Sequence, residues 1–223
     1  MAGLNDAMHG IGMTSQRTRM RMIERIREAG VTDTLVLSAM SQIPRHPFVE
    51  EALQSRAYEE TPLPIGSGQT ISSPYIVALT CALACQGKKL DKILEVGGGC
   101  GYQAAVLSRL AKQVFSVERI ARLVGQARRN LQALHIGNVQ FRNIDGTHGY
   151  DREAPFDAIV VACAMPHIPD ELKAQLKPGG RLIAPVGVGD VQTLVQVEAL
   201  EEGGFREQTL EAVRFVPLLS GIS

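Results

Sequence analysis

No stretch of this 223-residue chain has the length and apolarity of a membrane span, which needs about 20 apolar residues as a helix. The first residues lack the basic start and long apolar run of an export signal. Lysine and arginine number 23, as do aspartate and glutamate, so formal charge balances. That balance argues against a dominant phosphate-binding face and hence a nucleic-acid partner. Cysteine is scarce: Cys81, Cys85, Cys100 and Cys163. No C-x-x-C pair or histidine cluster accompanies them, so no metal is expected. Cys81 and Cys85 read as small buried residues one helical turn apart. Without a disulfide framework or export signal, the expected compartment is a reducing cytoplasm. The chain also lacks internal repeats and a clear linker.

The chain is long enough for a single domain with a well-buried core. The expected organisation is one domain over 1–223. Residues 1–12 form a weakly patterned leader, 13–86 a helical cap with an active-site loop, and 87–223 an α/β sheet with edge strands. Within the cap, Met20, Ile23 and Ile26 among arginines predict an amphipathic helix over Met13–Ala29, stopped by Gly30. Thr34–Met40 reads as a second helix and Phe48–Leu53 as another helical turn. Tyr58–Thr70, punctuated by Pro62, Pro64, Gly66 and Gly68, reads as irregular. His46, next to Arg45, is expected at the surface. Ser73-Pro74 opens a helix to about Ala84, with serine as N-cap and proline at the first helical position.

An alternating pattern follows. Strands are predicted at Ile93–Val96, Val114–Val117, Val139–Arg142, Ala158–Val161 and Arg181–Pro185. Helices are predicted at Tyr102–Leu110, Ile120–Leu134 and Pro169–Leu176. This rhythm implies an α/β fold, with a mostly parallel sheet covered on both faces. Gln192–Leu200 and Phe205–Val216, separated by Gly203-Gly204, predict an antiparallel pair at the sheet edge.

The most informative stretch is Lys92–Tyr102, K-I-L-E-V-G-G-G-C-G-Y. An apolar strand enters a glycine turn and then a helix, the arrangement in which α/β sheets bind nucleotide-like ligands. The spacing is Gly97-x-Gly99-x-Gly101, not the G-x-G-x-x-G that holds a pyrophosphate on a helix N-terminus. Glu95 precedes the turn. A carboxylate there repels a pyrophosphate and attracts an ammonium, which favours S-adenosylmethionine. Glu118 ends the next strand, 21 positions after Gly97, where an acid accepts hydrogen bonds from ribose hydroxyls. Asp145-Gly146 ends the third strand and is either a plain turn or an acceptor for an adenine amino group.

These residues belong to a wider set of motifs: Leu63-Pro64-Ile65-Gly66, Gly68-Gln69-Thr70-Ile71-Ser72-Ser73-Pro74-Tyr75, Glu95-Val96-Gly97 through Gln103, and Ser116–Ile120. Ala154–Ile159, Pro178–Leu182 and Val213–Leu218 complete it. Over roughly Thr14–Leu219 the chain resembles the protein-L-isoaspartate O-methyltransferases. The resemblance implies the Rossmann-like fold of S-adenosylmethionine-dependent methyltransferases. It also implies methylation of the misplaced α-carboxylate of isoaspartyl residues in damaged proteins and peptides, with repair through a succinimide. The implied cofactor-binding residues are Gln69, Thr70, Ser72, Glu95, Gly97, Gly99, Gly101, Glu118, Arg119, Asp145 and Gly146. Ser72 is the implied catalytic residue, and Ile65, Val213 and Phe215 are implied to contact substrate. The implied partners are isoaspartyl proteins and peptides, with no nucleic acid, no membrane, and a monomer or weak oligomer. A carboxylate is ionised at neutral pH, its ordinary pKa being about 4, so no general base is required.

The chain departs from the family pattern at three positions. Gly98 stands where the family has Thr or Ser, Cys100 where it has Ser, and Ile144 where it has Gly. Ile144 is expected to narrow the adenine pocket. Two other readings compete: a methyltransferase acting on nucleic acid or a small molecule, and a binding protein that no longer transfers methyl groups. The segment Val161–Pro166 lacks the Asn/Asp-Pro-Pro-Tyr of amino-group methylation and the Pro-Cys of base-carbon methylation.

Overall fold

The computed structural model describes residues 10–223. The expected leader lies largely outside them, although Gly12 already belongs to a 3-10 turn, Gly12–Thr14.

Among the described residues, nine strands and six α-helices follow the alternating pattern. The helices are α1 Gln16–Glu28, α2 Thr34–Gln42, α3 Pro74–Cys85, α4 Tyr102–Leu107, α5 Ala121–Ala133 and α6 Asp170–Ala174. The strands are β1 Leu63–Gly66, β2 Gln69–Ile71, β3 Leu90–Val96, β4 Ala111–Glu118, β5 Val139–Asn143, β6 Phe156–Val161, β7 Leu176–Val186, β8 Gln192–Ala199 and β9 Phe205–Val213. Local chemistry sets the helix starts. The Ser15 hydroxyl accepts from the Thr18 amide to begin α1. The Ser73 hydroxyl accepts from the Ile76 amide to begin α3, with Pro74 at the first helical position, where its missing N–H costs nothing.

The main sheet has the order β5-β4-β3-β6-β7-β8-β9. β3 to β7 run parallel, and β8 and β9 are antiparallel additions. Consecutive strand residues face opposite sides. Ile93, Val114, Val160 and Ile183 enter the core beneath the cap helices. Leu94, Phe115, Ile159 and Leu182 enter a second core on the other face. Burial on both faces explains why these strands are almost wholly apolar. Chain direction across the sheet reverses at β3, with β4 on one side and β6 on the other, so a crevice opens beyond their carboxyl ends.

Several boundaries differ from the sequence reading. Residues 63–71 form a hairpin rather than an irregular segment, because Gly66, Ser67 and Gly68 all adopt positive φ and reverse the chain. Helix α4 stops at Leu107, three residues short of the expected end, and α6 at Ala174, two residues short, where Leu176 already begins β7. β9 ends at Val213, and residues 214–216 leave the sheet. His46 is buried, its Nδ1 at 3.0 Å from the Tyr58 hydroxyl, because it sits under the cap in a tight 3-10 turn, His46–Phe48.

Candidate active site

The glycine turn after β3 is folded back on its neighbour strand. The Gly97 and Gly98 amides both donate to the Val117 carbonyl, at 2.9 and 3.2 Å. Gly97 and Gly99 have φ of +85 and +53, and an added Cβ would press within 3.1 Å of Cys163 Sγ or Ile65 Cδ1 respectively. These positions form a cradle that any side chain would begin to fill. Gly101 serves a different purpose. It is the N-cap of α4, and a Cβ there would meet Ala127 of α5 at 3.0 Å.

Three openings meet around this turn. A cleft along the sheet rim is walled by Gly97, Gly99, Glu118, Arg119, Ile120, Gly146, Ala162 and Cys163 on one side. Gln69, Thr70 and the tail segment Val216–Leu219 close the other. An inner cavity holds Glu95, with Ile65, Ser72, Gly97–Cys100, Tyr102 and Gln103 around it. An outer groove runs past Pro62, Ser72, Ser73, Ile76 and Val191 to Ala212–Val216. Thr70 and Ala162 line all three, and Ser72 stands between the inner cavity and the outer groove.

Glu95 is completely buried. One carboxylate oxygen accepts from the Ser116 hydroxyl, and the other, Oε1, has no hydrogen-bond partner. Burial raises its pKa to about 7; the Ser116 bond opposes the rise and nearby Glu118 adds to it. A buried carboxylate with an open oxygen asks for a donor, and an ammonium in the inner cavity would supply one. Glu118 is differently placed. Its Oε2 accepts from the Gly99 amide at 3.0 Å and its Oε1 from the Ile120 amide at 2.9 Å. Glu118 lines the cleft and each oxygen has a second lone pair, so hydroxyl donors can still be received.

Asp145 turns elsewhere. Its Oδ1 accepts from the Thr147 amide at 2.9 Å, and its Oδ2 from the Gly221 amide at 2.6 Å. Desolvation pushes its pKa up, but a hydrogen bond from the Thr147 hydroxyl and these amide bonds outweigh it, and the net shift is downward. Asp145 is thus a cap and a tether for the chain's last residues, while Gly146 reaches the cleft wall. Ile144 packs against the second core and does not line the cleft; its backbone amide donates to the Glu118 carbonyl at 3.2 Å.

The tail is held against the rim by backbone hydrogen bonds. Val216 and Leu218 bond to either side of Ala164, at 2.8 and 2.7 Å. The Ser223 amide donates to the Arg119 carbonyl at 2.9 Å, and its carbonyl accepts from the Ala121 amide at 2.7 Å. Arg119 Nη1 also donates to the Ser223 hydroxyl at 3.3 Å. Of the residues implied to meet substrate, Val213 and Phe215 line the outer groove, but Ile65 lies on the inner cavity. The Phe215 amide is held by Gln192 Oε1 at 2.8 Å. Among the described residues, no hydrogen bond engages the Ser72 hydroxyl, and its carbonyl accepts from Arg45 Nη2 at 2.7 Å. Sequence reading missed Ile120, Ala162, Cys163 and Leu219. Ala162 and Cys163 follow β6, which flanks the crevice, so the reversal of strand order was the available signal. Among the described residues, no cluster of three or more His, Cys, Asp or Glu side chains could hold a metal ion.

Known proteins resemble this chain in sequence and in fold. Residues 17–223 match a sequence model of the protein-L-isoaspartate (D-aspartate) O-methyltransferase family. A protein-L-isoaspartate O-methyltransferase from Dechloromonas aromatica is 55% identical over 215 residues, covering 96% of this chain and 99% of that protein. Another from Methylobacillus flagellatus is 53% identical over 218 residues, covering 96% and 97%. A solved protein-L-isoaspartate O-methyltransferase, 29% identical, superposes with a TM-score of 0.81 over 92% of this chain and 67% of that one. A Plasmodium falciparum structure in complex with S-adenosyl-L-homocysteine, 24% identical, shares the fold with a TM-score of 0.79 over 90% of this chain and 98% of that one.

Proposed function

Because the chain belongs to the protein-L-isoaspartate (D-aspartate) O-methyltransferase family, we infer that it is the corresponding enzyme. It transfers a methyl group from S-adenosylmethionine to the free α-carboxylate of L-isoaspartyl residues in damaged proteins and peptides. The ester so formed opens the route through a succinimide back to aspartate. The observation that carries this reading is the open oxygen of buried Glu95, set between a glycine cradle and a serine-edged groove.

When bound, S-adenosylmethionine supplies a methyl carbon activated by a sulfonium. The remaining work falls to the chain. We assign Glu95 Oε1 to an ammonium and Glu118 to ribose hydroxyls. Gly97, Gly99, Gly146, Gln69, Thr70 and Arg119 form the surrounding wall. Gly101 acts by packing α4 against α5, and Asp145 by holding the tail against the rim. Ser72 is assigned to the substrate: its hydroxyl donates to one carboxylate oxygen and aims the other at the methyl. Holding nucleophile and methyl about 3 to 3.5 Å apart removes several kcal/mol of barrier. The acceptor carboxylate is already ionised, so no residue need remove a proton.

The outer groove suits an extended peptide. Val213 and Phe215 provide apolar contact, and Ile65 supports the cradle from behind. Backbone groups give binding that tolerates varied sequence. The partners are therefore isoaspartyl proteins and peptides. The balanced charge gives no support to a nucleic-acid partner. Among the described residues, no helix is long and apolar enough to cross a membrane. A cytoplasmic location is drawn from four buried, unpaired cysteines, and a monomer or weak oligomer is the working state. One domain is supported by the core that cap residues such as Met22 and Ile26 share with Ile93 and Val114 of the sheet.

The deciding experiment is methyl transfer to matched isoaspartyl and aspartyl peptides, with the ester measured as methanol released by alkali. Transfer to both peptides alike, or to neither while S-adenosylhomocysteine still binds, would overturn the reading.

A further inference from the structure

Beneath the cap lies a full positive charge with no salt-bridge partner among the described residues. Arg45 is completely buried. Its Nε donates to the Ala57 carbonyl at 2.8 Å and its Nη2 to the Ser72 carbonyl at 2.7 Å. The guanidinium carbon sits 4.9 Å from the centre of the Tyr102 ring. Nη1 has no hydrogen-bond partner, and among the described residues no carboxylate forms a salt bridge with Arg45. A guanidinium buried this way is a poor stabiliser, since desolvation outweighs what neutral acceptors return. Burial lowers its pKa, with Tyr102, Cys100, Glu60 and Tyr58 opposing, but an arginine keeps its proton in proteins.

The contacts join parts that are far apart in sequence. Ala57 belongs to the cap. Ser72 ends the active-site hairpin. Tyr102 is the first residue of α4, directly after the glycine turn. The backbone of Arg45 is fixed as well, its amide donating to the Tyr58 hydroxyl at 3.3 Å. The guanidinium is planar and its donors keep fixed directions. Fixing the Ser72 carbonyl fixes the peptide plane from which the Ser72 side chain departs.

We propose that Arg45 is a positioning residue for methyl transfer: gripping the Ser72 carbonyl while resting on the Tyr102 ring, it sets where the Ser72 hydroxyl stands relative to the glycine turn. The proposal rests on the assignment of Ser72 above. It distinguishes Arg45 from an arginine that merely staples the cap, because a staple would act on stability and not through one hydroxyl.

The test is a double-mutant cycle with Arg45→Lys and Ser72→Ala, alone and together. S-adenosylhomocysteine affinity is read by calorimetry, and kcat and KM on an isoaspartyl peptide. Lysine keeps the charge but cannot reach two acceptors in a fixed fork. Arg45→Lys should lower kcat about tenfold or more, as small misplacements of reacting groups do, and leave S-adenosylhomocysteine affinity within about twofold. In the Ser72→Ala background the same change should cost less than about twofold, since groups acting as a unit are not additive. Multiplying losses would overturn this proposal and leave Ser72's role intact. An inert Ser72→Ala would overturn both. Should Arg45→Lys fail to fold, Tyr102→Leu removes the ring on which the guanidinium rests. It should show the same dependence on Ser72, and additive losses there would count equally against the proposal.

Discussion

The ring of Phe141 fills the space that a side chain on Gly98 would need. A Cβ on Gly98 would overlap Phe141 Cζ and, on its other side, the Ser116 hydroxyl. Phe141 is itself buried in the core beneath the cap. The glycine and the phenylalanine therefore form one packing unit. A side chain at this position has no room unless both the ring and the Ser116 hydroxyl shift.

Gly98→Ala should destabilise the protein by about 1–3 kcal/mol, the usual cost of overpacking. Phe141→Leu in the same chain should return part of that loss. Urea unfolding of the two single variants and the double variant measures the coupling. Strictly additive losses would show that the ring is not the obstacle.

Stability should fall with rising pH through the titration of Glu95. Its carboxyl is raised from 4.5 to about 7 in the folded protein, so the folded state holds a proton that the unfolded state releases. The contribution is fully present below pH 4.5 and lost as pH passes 7, with a total on the order of 3 kcal/mol. Glu95→Gln should be more stable than the parent at pH 8 and nearly equal to it at pH 4.5. Parallel unfolding curves at both values would refute this.

The same carboxylate should link ligand binding to protons. If an ammonium meets Glu95, affinity for S-adenosylhomocysteine should rise with pH toward 7. Calorimetry at pH 6, in buffers of different ionisation enthalpy, should record proton release. Glu95→Gln should weaken binding about tenfold to a hundredfold, the range for a hydrogen bond to a charged group. Proton-independent binding would remove Glu95 from the ammonium site.

Ser72→Ala should lower kcat on an isoaspartyl peptide about tenfold to a hundredfold, again the range for one hydrogen bond to an ionised oxygen. The affinity for S-adenosylhomocysteine should hold. Single-turnover kinetics separates the two effects, and unchanged turnover removes Ser72 from the mechanism.

Asp145→Ala should loosen the tail. It deletes the acceptors of Thr147 and Gly221 and should cost about 1–2 kcal/mol, as the loss of a capping side chain does. Amide exchange over residues 216–223 should rise, and S-adenosylhomocysteine should bind more weakly. Asp145→Asn, which keeps an oxygen acceptor, should lose less. Unchanged exchange would mean that the tail is held without Asp145.

The sequence by itself determined the elements whose signals are local. Apolar β-branched runs marked the buried strands, Ser73-Pro74 marked the start of α3, and the glycines after Glu95 marked the cradle. Each signal depends on a residue and its near neighbours, so each could be read before any packing was known. Glu95 and Glu118 were legible for the same reason, because each closes a strand whose end is visible. Only the tertiary structure decided that Glu95 keeps an open oxygen, that Asp145 holds Gly221, and that Arg45 reaches Ser72 across 27 positions. It also decided that Gly98 has no room for a side chain. Those outcomes depend on atoms brought together from distant parts of the chain, where burial and competing hydrogen-bond partners set the energy, and no local pattern encodes them.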